Sequence, residues 1–311
     1  MLKISQPHFT WIHLHNTSSS EIKTIQKEYD FHELIVEDIT ELSGENKVDF
    51  YEEDNAVVLL LNFPRYDATS ERYVHNPFVC VVSEKYLITS SKYVSKHIER
   101  FMDVASQKNY LKGDFSTPTF DVVYDLIDLM YDKSISWLHK ANKEILNLQD
   151  DLETHQQVNK ETLEELLTKK INMSVLQHIF RPQRQLIHEF KSSLKKILHT
   201  EREDMEDVIL YIEDLDSKLD KILDNISLNY ESLKSLTETY RSLIDLQTNK
   251  TLTRLTIVTV ATWWLAVVAW FFGMNVDIPW SQYPFMFWII TIVSLLLIAT
   301  GYMILRWRKW L

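Results

Sequence analysis

The stretch from Asn249 to Asn275 limits this chain more than any other. It reads NKTLTRLTIVTVATWWLAVVAWFFGMN, with no Pro and with Gly only at position 273. From Leu255 to Phe272, 18 consecutive residues carry no charge, and a second uncharged run, Pro284 to Leu305, has 22. As helices rising about 1.5 Å per residue, each run reaches across roughly 30 Å of hydrocarbon. Two membrane-spanning helices are therefore predicted at the C-terminal end. A buried hairpin in a soluble core is the competing reading, but a core hairpin is not normally apolar on every face.

Charge is distributed very unevenly around that stretch. Residues 251–311 hold four of the 33 Lys+Arg and one of the 44 Asp+Glu, which leaves 29 against 43 in the first 250 residues, a net of −14. That balance argues against nucleic acid as a partner, because binding its phosphate backbone needs a basic face. An acidic exterior of this kind suits a surface that concentrates cations, and also an ordinary solvated one. The single cysteine, Cys80, rules out a disulfide framework within the chain. The opening MLKISQPHFTWIHLH lacks the apolar core of a signal peptide, so the first 250 residues are expected to stay on the side of synthesis. Arg254 precedes the first run, and Arg306, Arg308 and Lys309 follow or close the second. Both termini are accordingly expected in the cytoplasm of a plasma-membrane protein, with a short external loop at 273–283. Trp280, Trp307 and Trp310 fall where interfacial anchors belong.

The expected organisation is a cytosolic α/β domain over 1–113, a long-helix stalk over 114–250 and a transmembrane region over 251–311. The fold class is α+β. In the first part Phe9, Trp11 and His13 alternate as a strand does. His13 and His15 share a strand face, but two imidazoles are an incomplete ligand set for zinc. A helix is predicted over 31–42, stopped by Ser43-Gly44. Strand pairs follow, turning at Glu52–Asn55 and at Ser83–Lys85, with a closing helix near 94–106. No glycine-rich phosphate loop, nucleophile elbow or zinc-protease motif is present.

From Asp114 to Phe272 there is no Gly, and the only prolines are Pro118 and Pro182. Long helices are predicted from Pro118 to about Leu152, over 160–199 with a break at Pro182, and from about Glu201 through Phe272. In the last, apolar residues from Met205 through Val208, Ile212, Leu215, Leu219, Ile222 and Ile226 recur at steps of three and four. The pattern continues through Tyr230, Leu233, Leu236, Tyr240 and Leu243, a 3.5-residue seam of coiled-coil type. An unbroken helix joining this seam to a span would transmit any cytosolic movement to the membrane. Polar positions Thr256, Thr259 and Thr262 within the span are expected to need partners or water, which points to self-association.

This arrangement resembles the CorA family of divalent metal-ion transporters over the whole chain. It is carried by the acidic α/β domain, the long helices, the two C-terminal runs, the triplet Gly273-Met274-Asn275 ending the first of them, and the basic tail RWRKWL. The resemblance implies a homopentamer in the membrane lipid whose first spans line one pore, with Gly273, Met274 and Asn275 at its outer mouth. It implies Mg²⁺ as transported and regulatory ion. An ordinary helix cap is the plainer reading of Gly273.

Asn249, Leu252, Thr256, Thr259, Trp263, Ala266 and Trp270 share one helix face at steps of three and four. Counted back from the triplet, Asn249 matches the family's polar pore residue, while Leu252, Leu255 and Trp263 match apolar gate positions; helix packing is the alternative for this face. The same count places Asp214 at an inter-subunit cation site and Glu238 at an acidic position near the pore entrance, with a solvated face as the alternative. The sequence departs from the family at Phe272, where Tyr is usual, at Trp264 and Trp270, and in the loop, where Asp277 is the only acid. Passive magnesium uptake without enzymatic activity is the expected function. A zinc or other transition-metal transporter of the same family is one rival, and a non-conducting, membrane-anchored coiled-coil sensor or scaffold is another.

Overall fold

The computed structural model describes residues 2–5, 10–15, 19–42, 46–93, 96–107, 118–155, 159–197, 202–274, 283 and 285–307. Phe9, the Ser43-Gly44 stop, Asn275, Asp277, Trp280, Arg308, Lys309 and Trp310 lie outside them. The chain divides into two compact units, Met1–Thr237 and Glu238–Leu311.

The first unit is built on a six-stranded mixed sheet. Its strands are β1 (Leu2–Ser5), β2 (Thr10–His15), β3 (Lys47–Tyr51), β4 (Ala56–Asp67), β5 (Arg72–Ser83) and β6 (Tyr86–Ser91), in the order β1-β2-β6-β5-β4-β3. Only the β2–β6 pair is parallel among these neighbours. The turns over Glu52–Asn55 and at Glu84–Lys85 stand where the sequence places them. Ala56 through Pro64 are all buried in β4, the continuous apolar pattern of a strand covered on both faces.

Helices α1 (Ser19–Tyr29) and α2 (Glu33–Glu41) cover one face. Ile22, Ile25, Ile35 and Ile39 form a core there with Ala56, Val58, Leu60, Val79 and Val81, the alternate residues of β4 and β5. Helix α3 (Lys96–Gln107) follows the sheet. Helices α4 (Pro118–His155), α5 (Lys160–Phe180) and α6 (Gln183–Ile197) then contact the β3–β5 part of the sheet. The α5–α6 break falls at Arg181-Pro182, because proline cannot continue the α5 hydrogen-bond ladder. Asn159 caps α5, its Oδ1 accepting from the Thr162 amide at 2.7 Å.

Buried polar groups tie the layers together. Gln183 Nε2 donates to the Asn62 carbonyl of β4, and Tyr131 of α4 donates to Gln183 Oε1 at 2.9 Å. His13 is a core residue: its Nδ1 lies 2.9 Å from Thr89 Oγ1, which also accepts from Trp11 Nε1. Burial, and then the neighbouring His15, lowers its pKa to about 4, so this imidazole is neutral in the folded core at physiological pH.

Helix α7 runs from Arg202 to Phe272, 71 residues. Within the first unit its seam is buried by this chain's own helices: Val208, Ile212, Leu215, Leu219, Ile222, Ile226, Leu233 and Leu236 are all inside. Helix α4 lies alongside and parallel. The Tyr124 and Tyr211 rings meet at a tilt with centroids 4.7 Å apart, Lys218 binds Asp128 and Asp132, and Asn229 Nδ2 donates to the Leu138 carbonyl. Helix α6 runs the opposite way, with Lys191 near Glu213 and Arg184 near Asp220. Between Val208 and Leu236 the 3.5-residue repeat is therefore filled by helices of the same chain. Sequence cannot separate this from a seam between copies, because a seam has the same period whichever helix fills it.

In the second unit, α7 is followed by α8 (Met286–Trp307), 22 residues long. Among the described residues one helix, within Met205–Phe271, is long and apolar enough to cross a membrane, and its apolar window is not buried by the chain. The apolar segment of α8, Phe287–Gly301, is shorter.

Candidate functional site

The residues predicted to line a pore stand in a row on α7. Asn249, Leu252, Leu255, Thr256, Thr259, Trp263 and Trp270 are all exposed, Trp263 at 65% and Trp270 at 73%. Apolar side chains of this size are stable only against lipid, another copy or a ligand, so the row marks a surface that this chain alone does not cover. The helix runs through it unbroken, with neither proline nor glycine between Asn249 and Trp270.

The threonines behave differently from the sequence expectation. Thr256 Oγ1 donates to the Leu252 carbonyl at 2.8 Å, Thr259 to Leu255 at 2.9 Å and Thr262 to Val258 at 2.8 Å. Each hydroxyl hydrogen is used within its own helix. The need of these groups for a second helix is thus removed, although their oxygens keep a lone pair for a ligand or water.

Gly273 ends α7. Its amide is shared between the Ala269 carbonyl at 2.9 Å and the Trp270 carbonyl at 3.1 Å. Its φ lies outside the left-handed region, so a left-handed C-cap is not what requires glycine here. A Cβ at this position would stand 3.2 Å from the Ala269 oxygen, tight but not prohibitive. Met274 is exposed beyond it, and Asn275, the third member of the triplet, is outside the described residues.

Asp214 sits on an exposed turn of α7 and accepts from the Tyr124 hydroxyl at 2.9 Å. It faces a row of carboxylates on α4. Asp121, Asp125, Asp128 and Asp132 recur at steps of four, three and four, one per turn. Burial, then the bond to Asp214 and the charges of Asp128 and Asp125, holds the Tyr124 phenol far above its ordinary value. Burial raises Asp128 as well, against the pull of Lys218. The Asp row on α4 was legible in FDVVYDLIDLMYD from its spacing alone. That it meets Asp214 was not, since the contact spans 90 residues of chain. Glu238 is exposed on α7. Among the described residues no three His, Cys, Asp or Glu are arranged to hold a metal ion. Asp214 can contribute one carboxylate to a hydrated Mg²⁺, which commonly binds through one or two, and a full cage would need ligands from elsewhere.

Comparison with known proteins gives one consistent result. The sequence model of the family described as CorA-like Mg2+ transporter protein matches residues 6–307. The Cobalt/magnesium transport protein CorA of Thermotoga maritima is 21% identical over 309 residues, covering 97% of this chain and 83% of that protein. The Magnesium transport protein CorA of Wolinella succinogenes is 22% identical over 289 residues, covering 88% and 84%. Among solved structures, the CorA magnesium transporter of Methanocaldococcus jannaschii superposes with a TM-score of 0.80 at 19% identity, over 98% of this chain and 93% of that one.

Proposed function

The chain belongs to the CorA-like Mg2+ transporter family, and from that premise we propose that it carries divalent cations, Mg²⁺ first among them, passively through a pore made by several copies. The observation that carries this reading is the uncovered stripe of α7 from Asn249 to Trp270, leading to Gly273 and Met274. In a ring of copies, five by analogy with the family, these stripes would face one axis. Helices α7 and α8 would both span a plasma membrane, with both termini in the cytoplasm. No chemical transformation of a substrate is part of the reading.

Selectivity would reside at the mouth. Mg²⁺ is small, demands octahedral oxygen ligands and gives up water reluctantly. Rings of Gly273 carbonyls and Asn275 amides would hydrogen-bond the hydrated ion without stripping it, weakly enough to release it. Leu252, Leu255, Trp263 and Trp270 would close the pore by excluding water. The decisive experiment is flux of Mg²⁺, Co²⁺ and Zn²⁺ into vesicles holding the purified protein, beside Asn275→Ala. Mg²⁺ flux should fall at least tenfold in the variant. Unchanged flux removes the mouth from the reading, a preference for Zn²⁺ favours the transition-metal alternative, and no flux of any ion favours a non-conducting sensor.

Regulation would lie at Asp214 and Glu238. Cytosolic Mg²⁺ bridging acids of neighbouring copies would hold the ring closed, and its loss would let like charges separate them. Asp214→Lys should therefore abolish the shut-off of uptake as internal Mg²⁺ rises. Normal shut-off in that variant would clear Asp214 of the role.

A further inference from the structure

A cavity of about 1260 Å³ opens in the first unit between the far end of the β4–β5 hairpin, α4 and α5. It is distant in sequence from the α7 stripe and shares no residue with it. Its volume exceeds the roughly 300–1,000 Å³ of common small-molecule sites, so size does not restrict the occupant to an ion.

The α4 wall presents Lys133, Trp137 and Lys140 at steps of four and three, which puts the indole between two ammonium groups on one helix face. Arg65 of β4 lines the same cavity, its guanidinium stacked over the Tyr93 ring at 4.0 Å. None of these three cations has a carboxylate within ion-pair distance among the described residues, in a region where acids outnumber bases. The other basic residue of the lining, Lys169, is taken by Glu144 at 2.7 Å and Glu165 at 3.5 Å, and Glu164 is held by Lys160 at 3.0 Å. Glu71 and Glu161 also line the cavity, neither with a cation within ion-pair distance among the described residues. Lys133 is also felt by His97 of α3, whose pKa is lowered first by burial and then by Lys133 and by Arg100 of its own helix.

Two polar atoms in the wall lack any partner. Arg65 Nε and Asn76 Oδ1 are both buried without a hydrogen bond. Phe63 pairs with Asn76 and Arg65 with Val74, so Arg65 and Asn76 point to the same face of the sheet. A buried donor and a buried acceptor left unpaired are unfavourable, and a ligand bonding both would remove that penalty. Trp137 is 40% exposed and Tyr66 51% exposed, so planar surfaces stand beside the cations.

We propose that this cavity binds a phosphorylated compound carrying a planar ring, the nucleotide class. Arg65, Lys133 and Lys140 take the phosphates, and the ring stacks on Trp137. Stacking on an aromatic side chain is tolerant of the base, and guanidinium or ammonium groups bind phosphate through charge-assisted hydrogen bonds. The site does not depend on which ion, if any, crosses the membrane.

The test is calorimetric titration of the full chain in detergent with ADP, pyrophosphate and adenosine, each with chelator present so that no metal bridge contributes. ADP should bind, pyrophosphate at least tenfold more weakly, and adenosine more weakly than either. Lys133→Ala with Lys140→Ala should weaken ADP at least tenfold, while Lys133→Arg with Lys140→Arg keeps it. Trp137→Ala should bring ADP down to the pyrophosphate level without changing pyrophosphate. Ion flux in the lysine variants should match the unsubstituted protein, which separates a lost nucleotide site from a lost fold. ADP binding that is absent, or equal in the double alanine variant, overturns the site. Equal binding of ADP and pyrophosphate overturns the role of the ring and leaves a phosphate site only.

Discussion

At position 121 the fold holds a carboxyl in a half-buried place beside Asp125, and its pKa is pushed up to about 7, first by burial and then by that neighbour. An unfolded aspartate titrates near 3.8. Between these values the folded chain keeps a proton that the unfolded chain has released. Stability from this group is thus complete below about pH 4 and is lost as pH rises through 7. Asp121→Asn, which cannot ionise, should raise the melting temperature at pH 8 and leave it nearly unchanged at pH 4. The gain is at most about 4 kcal/mol at 1.36 kcal/mol per unit, and less because the site is partly solvated. An equal difference at both pH values would show that the carboxyl is not strained. Its spacing a turn apart from three other Asp is written in the sequence, but nothing there marks it out from a solvated helix face. Its strain was not legible, because burial depends on what α7 brings against α4. Gly273 is the converse: its place at the end of the apolar run was legible, while its ordinary φ, which weakens the plain cap reading, needed the backbone.

At the scale of elements, the apolar periods gave most helices to within a few residues, and Pro182 located the α5–α6 break. Helix α1 was missed, since SSEIKTIQKEY has only two apolar residues that reach the core, Ile22 and Ile25. The β4–β5 hairpin runs beyond the expected strands to the Asp67–Arg72 pair, past Pro64 and Pro77. Proline argues against a strand interior from sequence, yet both are accommodated here. The seam of α7 makes a sharper test. Leu219 is wholly buried against this chain's own helices, whereas Leu210 on the same helix is 63% exposed. Leu219→Ala should cost about 2–5 kcal/mol of stability, and Leu210→Ala within about 0.5 kcal/mol. The melting point of the Leu219 variant should be independent of protein concentration. A loss seen only on dilution would mean that the seam holds copies together instead.

At the scale of the whole molecule, no ATP-binding loop is present in the sequence, and α7 carries an apolar stretch that this chain does not bury. If the proposed passive pore conducts, the membrane potential is the only force it has to drive uptake against a concentration difference. Two positive charges moving inward through 100 mV gain about 4.6 kcal/mol, enough for an accumulation of roughly two-thousandfold. In vesicles with a potassium diffusion potential, negative inside, Mg²⁺ should therefore accumulate far above the outside concentration. Collapsing the potential should reduce uptake to equilibration, and an imposed pH gradient at zero potential should leave the rate unchanged. Uptake that follows the proton gradient and ignores the potential would require a coupled carrier. In that case the α7 stripe would have to hold exchangeable protons, yet from Leu255 to Phe272 it carries no ionisable side chain. The absence of a titratable group along that stretch is why the potential, and not the proton, is the expected driver.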